Sequence, residues 1–76
     1  MEKFNISLSS INDVKNFVNI VTKYDFEIDL SSGRYVVDAK SIMGIFSLDL
    51  SQKLLLQADC EGNSKFMDEI APFLAK

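Results

Sequence analysis

The sequence predicts an α+β domain in which a four-stranded antiparallel sheet carries three helices on one face, in the order β-α-β-β-α-β-α. Two periodicities and a set of turn signals predict it. Apolar residues alternate with polar ones at Phe4, Ile6 and Leu8 and again at Phe26, Ile28 and Leu30, the period of a half-buried strand. Between them Val14, Phe17, Val18, Val21 and Tyr24 recur at helical spacing. Serine and glycine clusters separate the segments, and this succession suits an antiparallel sheet with its helices gathered on one side.

In chain order, Ser9 and Ser10 end the first alternation, and Ser10 with Asp13 reads as a capping-box-like helix start. Lys15, Asn16, Asn19 and Lys23 fall on the polar side of the helix that follows. After the second strand, Ser31-Ser32-Gly33-Arg34 supplies hairpin turn chemistry, with Gly33 free to take positive φ. The return strand covers residues 35–39, with Val37 and Ala39 inward and Tyr35 extending that face. Ser41 caps a short helix holding Ile42, Met43, Ile45, Phe46 and Leu48, too apolar all round for every side chain to face one core. Residues 53–59 form the last strand. A Glu61-Gly62-Asn63 turn then leads to a helix with Phe66, Met67, Ile70, Phe73 and Leu74 on one stripe, which Pro72 should kink or end early.

Composition narrows the function classes. The 76 residues predict one domain over 1–76, and a chain of this size hides only about 60% of its unfolded surface. With 47% hydrophobic and 25% charged residues, a packed core is expected. Eight basic against eleven acidic residues leave a net charge of −3, so no strong attraction to nucleic acid or an anionic membrane is expected. Apolar runs as short as Leu54-Leu55-Leu56 predict no membrane span. Glu2 and Asn5 interrupt the place where a signal peptide would need its apolar stretch, and one unpaired cysteine fits a reducing compartment, so a cytoplasmic location is expected. Histidine is absent, which removes the commonest general base, the usual zinc ligand and the nitrogen nucleophile of phosphohistidine chemistry.

Lys40-Ser41-Ile42-Met43-Gly44-Ile45-Phe46-Ser47-Leu48 resembles a segment of HPr, the histidine-containing phosphocarrier family of the bacterial sugar phosphotransferase system. There it matches the regulatory serine and the short helix after it, and the inferred element order agrees with the family's open-faced β-sandwich over nearly the whole chain. The opening Met1-Glu2-Lys3-Phe4 and residues 60–70 are similar more loosely. The family's Gly-x-His-Ala-Arg-Pro run, however, is replaced by Ser9-Ser10-Ile11-Asn12-Asp13-Val14 in a connection that reads as shorter. The former active-site loop, Ser10, Ile11, Asn12 and Asp13, is therefore degenerate, and Asp13 would repel a phosphoryl group.

The resemblance implies that Ser41 is the counterpart of the serine phosphorylated by HPr kinase/phosphorylase. A phosphate at a helix start meets unpaired N–H groups, with Lys40 alongside, although a plain N-cap explains the same serine. Ile42, Met43 and Phe46 can share an exposed docking face while Ile45 and Leu48 turn inward; the alternatives are burial or packing against a second copy of the chain. Cys60 has no histidine to activate it and reads as inert. Asp25, Glu27 and Asp29 read as a solvated sheet face, and Asp59, Glu61, Asp68 and Glu69 lack calcium-loop spacing, so neither a metal nor a cofactor is expected.

The reading that results is a non-catalytic, HPr-like regulatory or interaction module that docks through its second helix, under control of Ser41 phosphorylation. Its implied partners are proteins: HPr kinase/phosphorylase, a transcriptional regulator, phosphotransferase-system components, or a second copy in a homodimer. Two alternatives stand beside it. One is a phosphocarrier with a non-histidine acceptor such as Asp13 or Ser10, for which Lys15 is the sole nearby cation; the other is a diverged scaffold that self-associates through the second helix.

Overall fold

The computed structural model describes residues 2–75. Its elements are β1 (Glu2–Ile6), α1 (Ile11–Val21), β2 (Ile28–Ser32), β3 (Tyr35–Asp38), α2 (Ile42–Phe46), β4 (Leu54–Ala58) and α3 (Ser64–Ile70), the last continued by a 3-10 turn over Ala71–Phe73. The fold is the expected α+β arrangement. The four strands form one sheet in the order β1-β4-β2-β3, with every pairing antiparallel.

Strand alternation decides which face is buried. Leu30 stands opposite both Leu56 and Val37, and Leu56 opposite Phe4, so one row of apolar side chains crosses the sheet. On one side of this row Ile28 and Ala58 pair, and on the other Leu54 faces Ile6. Against this face α1 lays Val14, Phe17 and Val21, α2 lays Ile45, and α3 lays Phe66 and Ile70, all in one core cluster. Ring contacts tie the layers together: Phe17 meets Phe73 edge-on at 5.7 Å, and Phe66 meets Tyr24 and Phe26, each at 5.2 Å.

Local chemistry sets the element ends. Ser10 caps α1 by accepting from Asp13 N–H at 3.1 Å, as expected. The reciprocal half of the box is displaced by one residue: Asp13 Oδ2 accepts from the N–H and the hydroxyl of Ser9 instead of from Ser10 N–H. Gly33 takes φ of 59° in the β2–β3 turn. Pro72 ends α3 at Ile70, and the chain tightens into the 3-10 turn. That turn aims Leu74 and Ala75 along β1. Ser7 N–H donates to Phe73 O and Ala75 N–H to Asn5 O, both at 2.8 Å, and Ile6 bridges Leu74.

Two expectations about the core are corrected. Tyr35 shares a strand face with Val37, yet it is 75% exposed because it sits at the hairpin tip, beyond the cover of the helices. Leu74 is exposed instead of completing the α3 stripe, since the 3-10 turn that contains Pro72 changes its angular position.

Candidate functional site

α2 is held in one rotational setting from both sides. Ser41 Oγ accepts from Gly44 N–H at 3.2 Å and Ser41 O accepts from Ile45 N–H at 3.0 Å, closing its first turn. At the other end, Ser47 Oγ donates to Gly44 O at 2.6 Å. Ile45 and Leu48 are buried, which roots the helix in the core. Gly44 allows the close approach to the sheet, because a Cβ there would lie 3.2 Å from Val37 Cβ and 3.3 Å from Ser41 Oγ. With that orientation fixed, Met43 is 77% and Phe46 40% exposed, while Ile42 is half-buried against the core. Thus Met43 and Phe46 face outward and Ile42 forms the shoulder between that surface and the interior.

Ser41 is exposed at the start of the helix. The cation expected beside it is engaged elsewhere, for Lys40 Nζ donates to Phe26 O at 3.1 Å while its backbone N–H donates to Asp38 Oδ1. Sequence adjacency places Lys40 next to Ser41, but its long side chain turns back to the Phe26 carbonyl just before β2. The correction matters for any charge on Ser41, because the Lys40 ammonium is already engaged at Phe26 O.

The segment joining β1 to α1 is occupied by its own capping. Ser10 Oγ accepts from Asp13 N–H, and Asp13 Oδ2 takes two bonds from Ser9. The Ser9 backbone N–H and then its hydroxyl hold the Asp13 carboxyl below its usual pKa. Among the described residues no ion pair joins Lys15 to Asp13. Ile11 is 62% exposed at the first turn of α1, and Asn12 beside it is also exposed.

The remaining candidates are spread apart. Cys60 is buried and donates to Glu2 Oε2 at 2.8 Å; burial first, and then the Glu2 carboxylate, push its thiol pKa up and disfavour the reactive thiolate. Asp25, Glu27 and Asp29 line an open groove of about 230 Å³ with Asp38 and Lys40. Among the described residues no cluster of three or more carboxylates or thiols is placed to hold a metal ion. Glu69 accepts from Lys23 and Tyr24, pinning α3 to the end of α1, a link that spacing alone does not reveal. Asp59, Glu61 and Asp68 are exposed. No helix among the described residues is long and apolar enough to cross a membrane.

Comparison with known proteins places this geometry. A family model described as "PTS HPr component phosphorylation site" matches residues 12–76, beginning in the first turn of α1. Among solved structures, the chain is similar to one described as "Crystal structure of HPr-C-His from Thermoanaerobacter tengcongensis", at 25% identity and a TM-score of 0.77, covering 95% of this chain and 89% of that one. No curated protein matches.

Proposed function

Because this chain belongs to the HPr family, whose members are phosphocarriers, we propose that it is a member that docks to proteins through α2 without carrying a phosphohistidine. The observation that carries the reading is Met43, 77% exposed on a helix whose opposite side is anchored by fully buried Ile45. An apolar side chain held in water by a rigid support gains free energy when a partner covers it, and methionine adapts to more than one partner surface. Phe46 lies one turn along and adds an aromatic anchor, and Ile42 borders the same face.

The absent histidine supports the non-carrier half of the proposal. Neither Ser10 nor Asp13 offers an obvious substitute, since both already satisfy the α1 cap. Phosphorylation at Ser41 is the proposed control. Its hydroxyl now accepts from Gly44 N–H, and a phosphate there would add negative charge directly beside the Met43 face. With Lys40 engaged at Phe26 O, the stabilising cation is expected to come from the partner, most favourably as an arginine fork. The partner classes are HPr kinase/phosphorylase, a transcriptional regulator or phosphotransferase-system components, in the cytoplasm. The chain itself performs no catalysis in this reading.

The test is to titrate isotopically labelled protein with HPr kinase/phosphorylase and follow backbone amide shifts. Perturbations centred on residues 41–48, lost in Met43→Asp and Phe46→Ala, support docking through α2. In the presence of ATP, a single phosphate mass gain that Ser41→Ala abolishes supports the control. Transfer of label from phosphoenolpyruvate through the general phosphotransferase enzyme would overturn the non-carrier assignment.

A further inference from the structure

α2 cannot hold itself in place. At five residues it is too short to offset the cost of starting a helix, so its position depends on tertiary anchors. Burial of Ile45 and Leu48 secures its later half. At its start, both bonds that close the first turn finish on one residue: Gly44 N–H donates to Ser41 Oγ and Ile45 N–H to Ser41 O. Whatever fixes Ser41 therefore fixes the beginning of the helix.

Most of the bonds at that point are local. Ser41 N–H donates to Asp38 O and Lys40 N–H to Asp38 Oδ1, within the same turn, and Ala39 N–H donates to Ile28 O of β2. The Lys40 side chain reaches further. Its ammonium donates to Phe26 O at 3.1 Å, in the connection between α1 and β2, and the Phe26 ring lies 5.3 Å from Tyr24 of that connection and 5.2 Å from Phe66 of α3. Lys40 is half-buried, and the carboxylates of Asp25, Glu27, Asp29 and Asp38 line the groove that it shares. Their combined field favours a cation seated there.

We propose that Lys40 is a latch on α2: seated at the Phe26 carbonyl in the acidic groove, it ties the start of the helix to the α1–β2 connection, and α2 opens from the sheet only when that bond breaks. In this account the four carboxylates serve the chain's own cation. The competing account is a partly exposed lysine whose contact with Phe26 O contributes nothing to α2. The latch goes beyond the docking reading and does not require it. It can hold if no partner binds α2, and docking can occur if α2 proves unlatched.

Amide hydrogen exchange of the full chain at Gly44 and Ile45 decides between them, because both amides are freed when the first turn of α2 opens. Lys40→Met keeps the length of the side chain and loses the tie; it should speed exchange at both amides by about three- to tenfold. Lys40→Arg should restore most of the protection. Lys15→Met removes the same charge from an exposed position on α1 and should change neither amide. Because the seat is electrostatic, raising salt from about 20 mM to about 500 mM should also speed exchange at these amides in the parent, after correction for intrinsic rates, and the response should shrink in Lys40→Met. Unchanged exchange in Lys40→Met, or equal acceleration in Lys15→Met, overturns the proposal. Should Lys40→Met fail to fold, the parent decides alone, and exchange indifferent to salt overturns it.

Discussion

Gly44 of α2 and Val37 of β3 approach so closely that a Cβ added to the glycine would stand 3.2 Å from the valine's Cβ. Gly44→Ala gains helix propensity but pushes against Val37 and the Ser41 cap. The two sites are therefore expected to couple. Gly44→Ala should be more favourable in a Val37→Gly background, which removes the opposing Cβ, than in the parent, by roughly 0.5–3 kcal/mol in a double-mutant cycle of denaturant unfolding. An additive cycle would show that the contact does not set the helix position.

The inner and outer sides of α2 should respond differently to truncation. Ile45→Ala empties a fully buried site and should cost about 2–5 kcal/mol, a large share of the stability of so small a chain. Met43→Ala removes a mostly exposed side chain and should change stability by no more than about 0.5 kcal/mol while weakening partner binding. Unfolding curves and partner titration on the same two variants separate the roles.

The link between α1 and α3 has a signature at high pH. Tyr24 has its pKa raised to about 12, by desolvation first and then by its bond to the Glu69 carboxylate. The folded value lies above the unfolded one, so this group's contribution to stability is complete below about pH 10 and is lost as pH climbs toward 12. Glu69→Gln should move the phenol back part of the way, leaving the desolvation effect. An ultraviolet titration in a Tyr35→Phe background, where one phenol remains, reads that change directly.

At the start of α1 the dependence has the opposite sign. Bonds from Ser9 lower the Asp13 pKa below its ordinary value near 3.8, so its contribution is present above that value and disappears as pH falls through the lowered one. Asp13→Asn should flatten the acid limb of the stability profile. Ser10→Ala should cost about 1 kcal/mol with a weaker pH dependence than Asp13→Asn, because the lost cap bond is to an uncharged hydroxyl and Ser10 lowers the Asp13 pKa less than Ser9 does. Thermal unfolding at a series of pH values distinguishes the two variants.

Strong local signals carried most of the fold into view. The alternation at Ile28 and Leu30 and the stripe of Val14, Phe17 and Val21 each report one buried face, and all five residues are buried. Pro72 ends its helix because a missing N–H and a steric clash act locally. What stayed hidden depends on distant geometry. Alternation assigns Tyr35 to the inner face of β3 but cannot say that the helices stop short of the hairpin tip. Adjacency puts Lys40 beside Ser41, whereas its Nζ reaches the Phe26 carbonyl across the fold. On α2 an apolar residue at nearly every position hides the periodicity, and Gly44 looks like a defect until its contact with Val37 is seen. Met43 and Phe46 were identifiable as outward-facing only because Ile45 and Leu48 could fill the inward positions.

β4 lies between β1 and β2, yet it is the last strand to be made. As the polypeptide emerges during translation, β1 has no hydrogen-bonding neighbour in the sheet and β2 can pair only with β3 until residues 54–58 arrive. Such a nascent chain must wait with its interior unformed, and its contacts join segments far apart in synthesis, an order that slows folding and prolongs the exposure of aggregation-prone strands. Truncations ending before Leu54 should consequently behave as unfolded polypeptides rather than as smaller versions of the domain.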